Sequence, residues 1–151
     1  MSQGAWVLVG VLALASGFGC YRALVDGRFR GTRRVKGAVP EEHDDRAVLS
    51  GTEIGRPLGE RATLLQFSSA FCAPCRATRR VLAEVAAVLP GVAHVEVDAE
   101  MHLELVRRLG IVRTPTTLVL DAAGRERSRA AGAPRKENVL ATLAGVLDPP
   151  D

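Results

Sequence analysis

The sequence predicts an α/β domain, a mixed sheet of four to five strands flanked by helices, behind an N-terminal apolar helix. Three observations carry this. Strand-like and helix-like patterns alternate from about residue 52 onward, the last two strand patterns read as a hairpin, and Ser2 to Tyr21 carries no charged side chain. At 151 residues there is room for one domain with a proper core, plus a tail.

Residues 1–21 read as a transmembrane anchor. About 20 uncharged residues at a rise of about 1.5 Å each would cross a hydrocarbon layer about 30 Å thick. The glycines at 4, 10, 17 and 19 lower helix propensity but are ordinary in membrane helices. A cleaved signal peptide needs a basic leading region, and no Lys or Arg precedes Trp6. Ala13-Leu14-Ala15 resembles a cleavage site, yet the apolar run continues past it. Gly17-Phe18-Gly19-Cys20 lacks the aliphatic residue of a lipoprotein box. Cys20 reads most simply as a small apolar residue at the membrane edge, with lipidation as the alternative.

Residues 22–50 read as a linker, first basic and then acidic. Arg22, Arg28, Arg30, Arg33, Arg34 and Lys36 face one acid, Asp26. These are six of the chain's 20 bases, which leaves 14 bases against 16 acids elsewhere. The net charge of +3 is therefore a juxtamembrane feature and no nucleic-acid signal. Such a stretch suits anionic headgroups, and the positive-inside rule puts it, with the domain behind it, in the cytoplasm. Gly27, Gly31, Gly37, Pro40 and the run Glu41-Glu42-His43-Asp44-Asp45 offer little to a core, although Ala47-Val48-Leu49 reads as a short edge strand.

Residues 51–148 form the domain. Ala62–Phe67 is a buried strand. Cys72–Leu89 is a helix with Val81, Leu82, Val85, Val88 and Leu89 on one face and Arg76, Arg79, Arg80 and Glu84 on the other. Pro90-Gly91 stops it, and Val92–Val97 is a second strand. Asp98 is a candidate cap for a helix that runs to Leu109 and closes at Gly110. Thr116–Leu120 turns through Asp121-Ala122-Ala123-Gly124 into a strand over Glu126–Ala131. Arg135–Leu147 is a last helix with Val139, Leu140, Leu143, Val146 and Leu147 inward. The order β-α-β-α-β-β-α implies parallel strands with helices on both faces, joined by antiparallel ones.

Chemistry is concentrated at Phe71-Cys72-Ala73-Pro74-Cys75-Arg76, where the first strand gives way to a helix. Two thiols one turn apart can form and break a disulfide. The helix N–H groups and dipole would stabilise a Cys72 thiolate. Pro74 sits where a first turn tolerates the lost N–H. The spacing keeps Cys75 within reach of a mixed disulfide at Cys72. A metal site wants about four N or S ligands, and the remaining cysteine, Cys20, and the histidines at 43, 94 and 102 do not provide that spacing. A purely structural disulfide is disfavoured because so short a loop removes little entropy from the unfolded chain. No nucleotide-binding motif occurs, so no cofactor is expected.

These residues, taken with others in order, resemble the thioredoxin family. Val95-Glu96-Val97-Asp98 is similar to its strand after the active-site helix, and Gly110-Ile111-Val112-Arg113-Thr114-Pro115-Thr116 to the segment carrying its cis-proline. Gly124 and Gly132 match the hairpin glycine and the glycine before the last helix. The tail and linker lie outside the resemblance; a membrane-anchored protein of bacterial type is the nearest overall picture. The resemblance implies a thioredoxin-like fold, with Cys72 as nucleophile and Cys75 as resolving thiol. It also implies a cis Pro115 and a Thr114 backbone that pairs with a bound peptide.

Three departures matter. Phe71 replaces the usual Trp, keeping apolar cover but losing the indole N–H. Ala73 replaces the usual Gly. Gln66 stands where many members bury an acid that helps deprotonate the resolving cysteine, and a glutamine is no general base. His94, with Glu96, is the candidate replacement, against the alternative of a histidine with no chemical role. Arg113 reads equally as a group that lowers the Cys72 pKa or contacts substrate, or as a solvated arginine; His102 reads as a helix-surface residue.

The sequence thus points to a membrane-tethered thiol–disulfide oxidoreductase, a reductant if it faces the cytoplasm. It would act on protein disulfides and need an electron-donating partner of thioredoxin-reductase type. The same chemistry on the outer face, for example in cytochrome maturation, is one alternative. A non-catalytic partner-binding module at the membrane is the other.

Overall fold

Arg30 pairs with Arg129 and Gly31 with Ser128, so the sheet begins inside the segment expected to be a linker. The computed structural model describes residues 3–31 and 49–148. Its elements are α1 (Gln3–Val25), β1 (Arg30–Gly31), α2 (Gly51–Ile54), β2 (Ala62–Ser68), α3 (Ala73–Val88), β3 (Val92–Asp98), α4 (Leu103–Arg108), β4 (Thr116–Asp121), β5 (Glu126–Ala131) and α5 (Lys136–Leu147). The sheet order is β1-β5-β4-β2-β3, with β2 and β3 parallel and the other pairs antiparallel. The βαβ unit and hairpin read from the sequence are both present.

β2 is buried along its whole length because both of its faces are covered. Leu65 and Phe67 point into a core shared with Val95, Val97, Leu118 and Leu120, closed by Leu105 of α4, by Leu109 just after it and by Ile54 of α2. Ala62 and Leu64 point the other way, onto Leu82 and Val85 of α3 and Val139 and Leu143 of α5. The two-residue period of a strand puts Gln66 and Ser68 on this second face, under the helix that carries the cysteines. Truncating a fully buried side chain such as Leu82 would cost about 2–5 kcal/mol.

Several expectations are corrected. The helical period predicts Val88 and Leu140 inward, but they are 66% and 37% exposed. At 100° per residue each falls roughly 80–100° from the centre of its helix's buried stripe, beyond the edge the sheet covers. Asp98 does not cap α4. It ends β3, and its carboxylate accepts from the Glu100 N–H at 2.9 Å, so the helix starts only at Leu103. The short helix α2, with a reciprocal Ser50–Glu53 capping box, was not anticipated. Of the edge strand read at 47–49, residues 47 and 48 lie outside those described. Leu49 is in no strand; it is core, 2% exposed, and its N–H donates to the Gly124 carbonyl. That contact explains Gly124: at φ +78°, a Cβ there would lie 2.1 Å from the Leu49 oxygen.

The segment after α1 is likewise no free linker. Gly27 donates its N–H to the Ala131 carbonyl at 2.9 Å, and Phe29 packs against the α3/α5 core. Ladder pairing to an exposed edge of the sheet overrides the polar composition from which the linker was read.

Candidate active site

Cys72 is the N-cap of α3, and its Sγ accepts from the Cys75 N–H at 3.2 Å. Pro74 lies in the first turn, where no N–H is missed. The two sulfurs form a disulfide across that turn. Cys72 is half-buried and Cys75 is 2% exposed, so an attacking thiol reaches the first sulfur and not the second. Ala73 is exposed at the helix start. Phe71 is 99% exposed, which corrects the expectation that it covers the site: it precedes the N-cap and projects outward. Val112, before the proline loop, is 91% exposed.

The Thr114–Pro115 peptide is cis. It lies beside the cysteines, since the Ser69 and Thr114 hydroxyls are 3.0 Å apart. Pro115 is buried, its carbonyl accepting from the Gly132 N–H at 2.8 Å, and the Thr116 hydroxyl donates to the Arg113 carbonyl.

Beneath the disulfide, Gln66 is fully buried and uses every polar atom. Its amide nitrogen donates to the Cys75 carbonyl at 3.0 Å and to the Ser68 hydroxyl at 2.8 Å. Its oxygen lies 3.2 Å from His94 Nε2, which must then donate. Ser68 passes its own proton to a bond with Glu96 at 2.6 Å, and Glu96 is clasped by Arg79 through Nε at 2.6 Å and Nη2 at 2.8 Å. His94 therefore touches Gln66, and Glu96 touches Ser68. Ser68 and Arg79 complete this chain without having been named as site residues. The two-residue step from Gln66 to Ser68 on a single strand face is the signal that could have found Ser68.

Burial holds the His94 pKa below its usual value; the Glu96 charge opposes this and Arg79 reinforces it. For Glu96 burial pushes upward, but the hydrogen bonds from Arg79 and Ser68, with the Arg79 charge, overcome it and leave the carboxyl below its usual range. The site thus holds a neutral imidazole and a firmly ionised carboxylate near neutral pH. Ser68, Cys72, Cys75, Arg79 and Glu96 share the walls of an open groove of ≈ 430 Å³.

Arg113 takes a role that the sequence did not suggest. Its Nη2 donates to Asp26 Oδ1 at 2.8 Å and to the Ala131 carbonyl at 2.7 Å, so its guanidinium is engaged by the chain entering from α1. His102 stands at the start of α4 and donates through Nδ1 to the Asp98 carbonyl at 2.9 Å.

An accessible sulfur bonded to a buried one across the first turn of a helix, beside a cis Thr–Pro loop, defines a dithiol–disulfide exchange protein. The thioredoxin family profile matches residues 53–145, more than half of the chain, and the chain belongs to that family. It is 34% identical over 90 residues to a thioredoxin of Alicyclobacillus acidocaldarius subsp. acidocaldarius, covering 59% of this chain and 85% of that one. It is 29% identical over 83 residues to an H-type thioredoxin of Oryza sativa subsp. indica, covering 55% and 66%. Among solved structures, the thioredoxin of Fasciola hepatica superposes with a TM-score of 0.52 at 23% identity. The match covers 58% of this chain and 83% of that one, a likeness of fold alone. The protein is a thiol–disulfide oxidoreductase of the thioredoxin type.

Proposed function

We propose that the protein is a membrane-tethered reductase of protein disulfides, with α1 in the bilayer and the domain in the cytoplasm. The observation that carries the tether is the helix Gly4–Arg22: 19 residues, mean hydropathy 1.7, with none of the span buried against the domain. A helix that long and apolar, finding no protein surface to cover it, fits a hydrocarbon layer. The following arginines favour a cytoplasmic domain.

Cys72 as thiolate attacks one sulfur of the substrate disulfide, forming a mixed disulfide and freeing the first substrate thiolate. Cys75, deprotonated, then attacks Cys72 Sγ; the second substrate sulfur leaves, and the Cys72–Cys75 bond closes. Two electrons and two protons pass from enzyme dithiol to substrate. A dithiol-bearing reductase protein must return them. The Thr114 backbone would pair with the substrate chain beside the disulfide. Gln66 leaves Cys75 without an adjacent carboxylate; Glu96, which lines the same groove as Cys75, is the proposed acceptor of its proton by way of water, and His94 supports the site by holding Gln66.

Two measurements test this. Insulin reduction by the full chain in detergent, above a Cys72→Ser control, checks the enzyme; equal rates would leave only a binding module. A phosphatase or fluorescent-protein fusion after Asp151 reports which side of the membrane the domain occupies, and an outward result would reassign the reaction to exported disulfides.

A further inference from the structure

The chain enters the domain at its redox end. Asp26 follows the apolar span by four residues and accepts from Arg113, whose next neighbour is Thr114 of the cis peptide. Arg22, the last residue of the span, lies 3.7 Å from the same carboxylate. Gly27 then bonds Ala131, the β5 residue that pairs with Thr116, itself opposite Phe67 at the end of β2 that leads to the cysteines. The approach is too close for a side chain: at φ +72°, a Cβ on Gly27 would lie 2.0 Å from the Ala133 oxygen. The opposite end of the sheet, with Ala122 and Ala123 in the β4–β5 turn, is a strand length away, five steps of about 3.3 Å.

A helix tied to one pole of the domain through Asp26 and Gly27 sets the attitude of the whole domain. Among the described residues, none of the span is buried against the domain. Around the junction Arg22, Arg28, Arg113 and Arg129 line one hollow with Tyr21 and Asp26. An excess of arginines beside an interfacial tyrosine suits a wall facing phospholipid headgroups. Phe71 and Val112, the two most exposed large apolar side chains of the domain, flank the disulfide and the proline loop at this same pole.

We propose that Asp26 and Arg113 fix the redox pole at the base of the membrane helix. Cys72 then works at the bilayer surface, on disulfides carried by membrane proteins close to their transmembrane segments. This rests on the membrane tether proposed above. Cys72 carries out the same exchange there; what the clamp adds is the choice of substrate by height above the bilayer.

The test uses the full chain in nanodiscs and one disulfide-bearing peptide in two forms, free in solution and held by a short lipid anchor. A second protein carries a ten-residue Gly-Ser spacer between Val25 and Asp26, which keeps the Asp26–Arg113 contact but lets the domain move through about 16–19 Å. The free peptide should be reduced at the same rate by both proteins. The anchored peptide should be reduced about tenfold more slowly by the spacer protein, because its effective concentration at Cys72 falls. Asp26→Ala, without the spacer, should show part of the same selective loss. A spin label at Val112 should be relaxed by nickel-chelating lipid several times more strongly than one at Ala123, in a background with all three cysteines replaced by serine. Equal anchored-peptide rates for the two proteins, or equal relaxation at the two sites, in an inserted chain would overturn the proposal alone. A chain extracted from membranes by alkaline carbonate would overturn the tether and this proposal together.

Discussion

Gln66 donates its amide N–H to the carbonyl oxygen of Cys75 at 3.0 Å, and so holds the backbone of the resolving cysteine. The same side chain bonds Ser68 and His94, which gives the redox helix a neutral, fully hydrogen-bonded support. Stability and proton transfer are therefore separable at this position.

Gln66→Glu should exchange one for the other. A buried carboxyl is a candidate base, and general-base assistance is typically large, so an increase of about tenfold in mixed-disulfide resolution near neutral pH is a conservative expectation. Charge burial and a lost bond to the Cys75 carbonyl should destabilise the fold by about 1–3 kcal/mol. Rapid-mixing kinetics of substrate release, with urea unfolding in parallel, measure both; an unchanged resolution rate would show that proton removal at Cys75 is not slow in the native protein.

His94 should impose a pH dependence on stability. Burial lowers its folded pKa below the unfolded value, so the folded state prefers the neutral ring. The sign follows: this contribution is complete above about pH 6.5 and is lost as pH falls toward the folded pKa. Urea midpoints at pH 7 and pH 5 should therefore differ more in the native protein than in His94→Asn, which keeps a donor for Gln66. Glu96 loses its contribution only below its ordinary carboxylate range, so pH 5 separates the two. Parallel pH profiles for both proteins would count against this account of His94.

Gly124→Ala should destabilise the domain by about 1–3 kcal/mol. The residue sits at φ +78°, and its new methyl would meet the Leu49 carbonyl oxygen at 2.1 Å. Because Leu49 is itself core, the substitution should shift the thermal midpoint of the whole domain. A midpoint within a degree of the native value would mean that the turn yields without cost.

Thr117→Val is expected to stabilise. The Thr117 hydroxyl is buried in β4 opposite Gln66 and, with that of Thr78 in α3, lacks a hydrogen-bond partner among the described residues. Replacing it with a methyl of similar shape removes an unpaired polar atom, worth about 1 kcal/mol. Chemical denaturation at constant m-value reads the change directly, and a lower midpoint would reveal a partner for that hydroxyl.

What local pattern can encode was legible in the chain. The cysteine pair stands at a strand-to-helix junction, and a continuous two-sided apolar run marks the central strand. A 3.6-residue period marks the helices, and an uncharged stretch of membrane length leads the chain. Each depends on residues within a few turns of each other, which is why element order and the redox motif were legible. Stripe edges were less so: Val88 and Leu140 are apolar but face solvent, because how far a sheet covers a helix is set by packing. Folding in three dimensions is what turns Arg113 to Asp26, 87 residues earlier, and adds Arg30–Gly31 as a strand beside β5. It also decided that Gln66 meets the Cys75 backbone while Ser68 meets Glu96. Those pairings follow from strand register and helix docking between distant segments. The position of a charged or amide side chain along the chain carries no record of its partner.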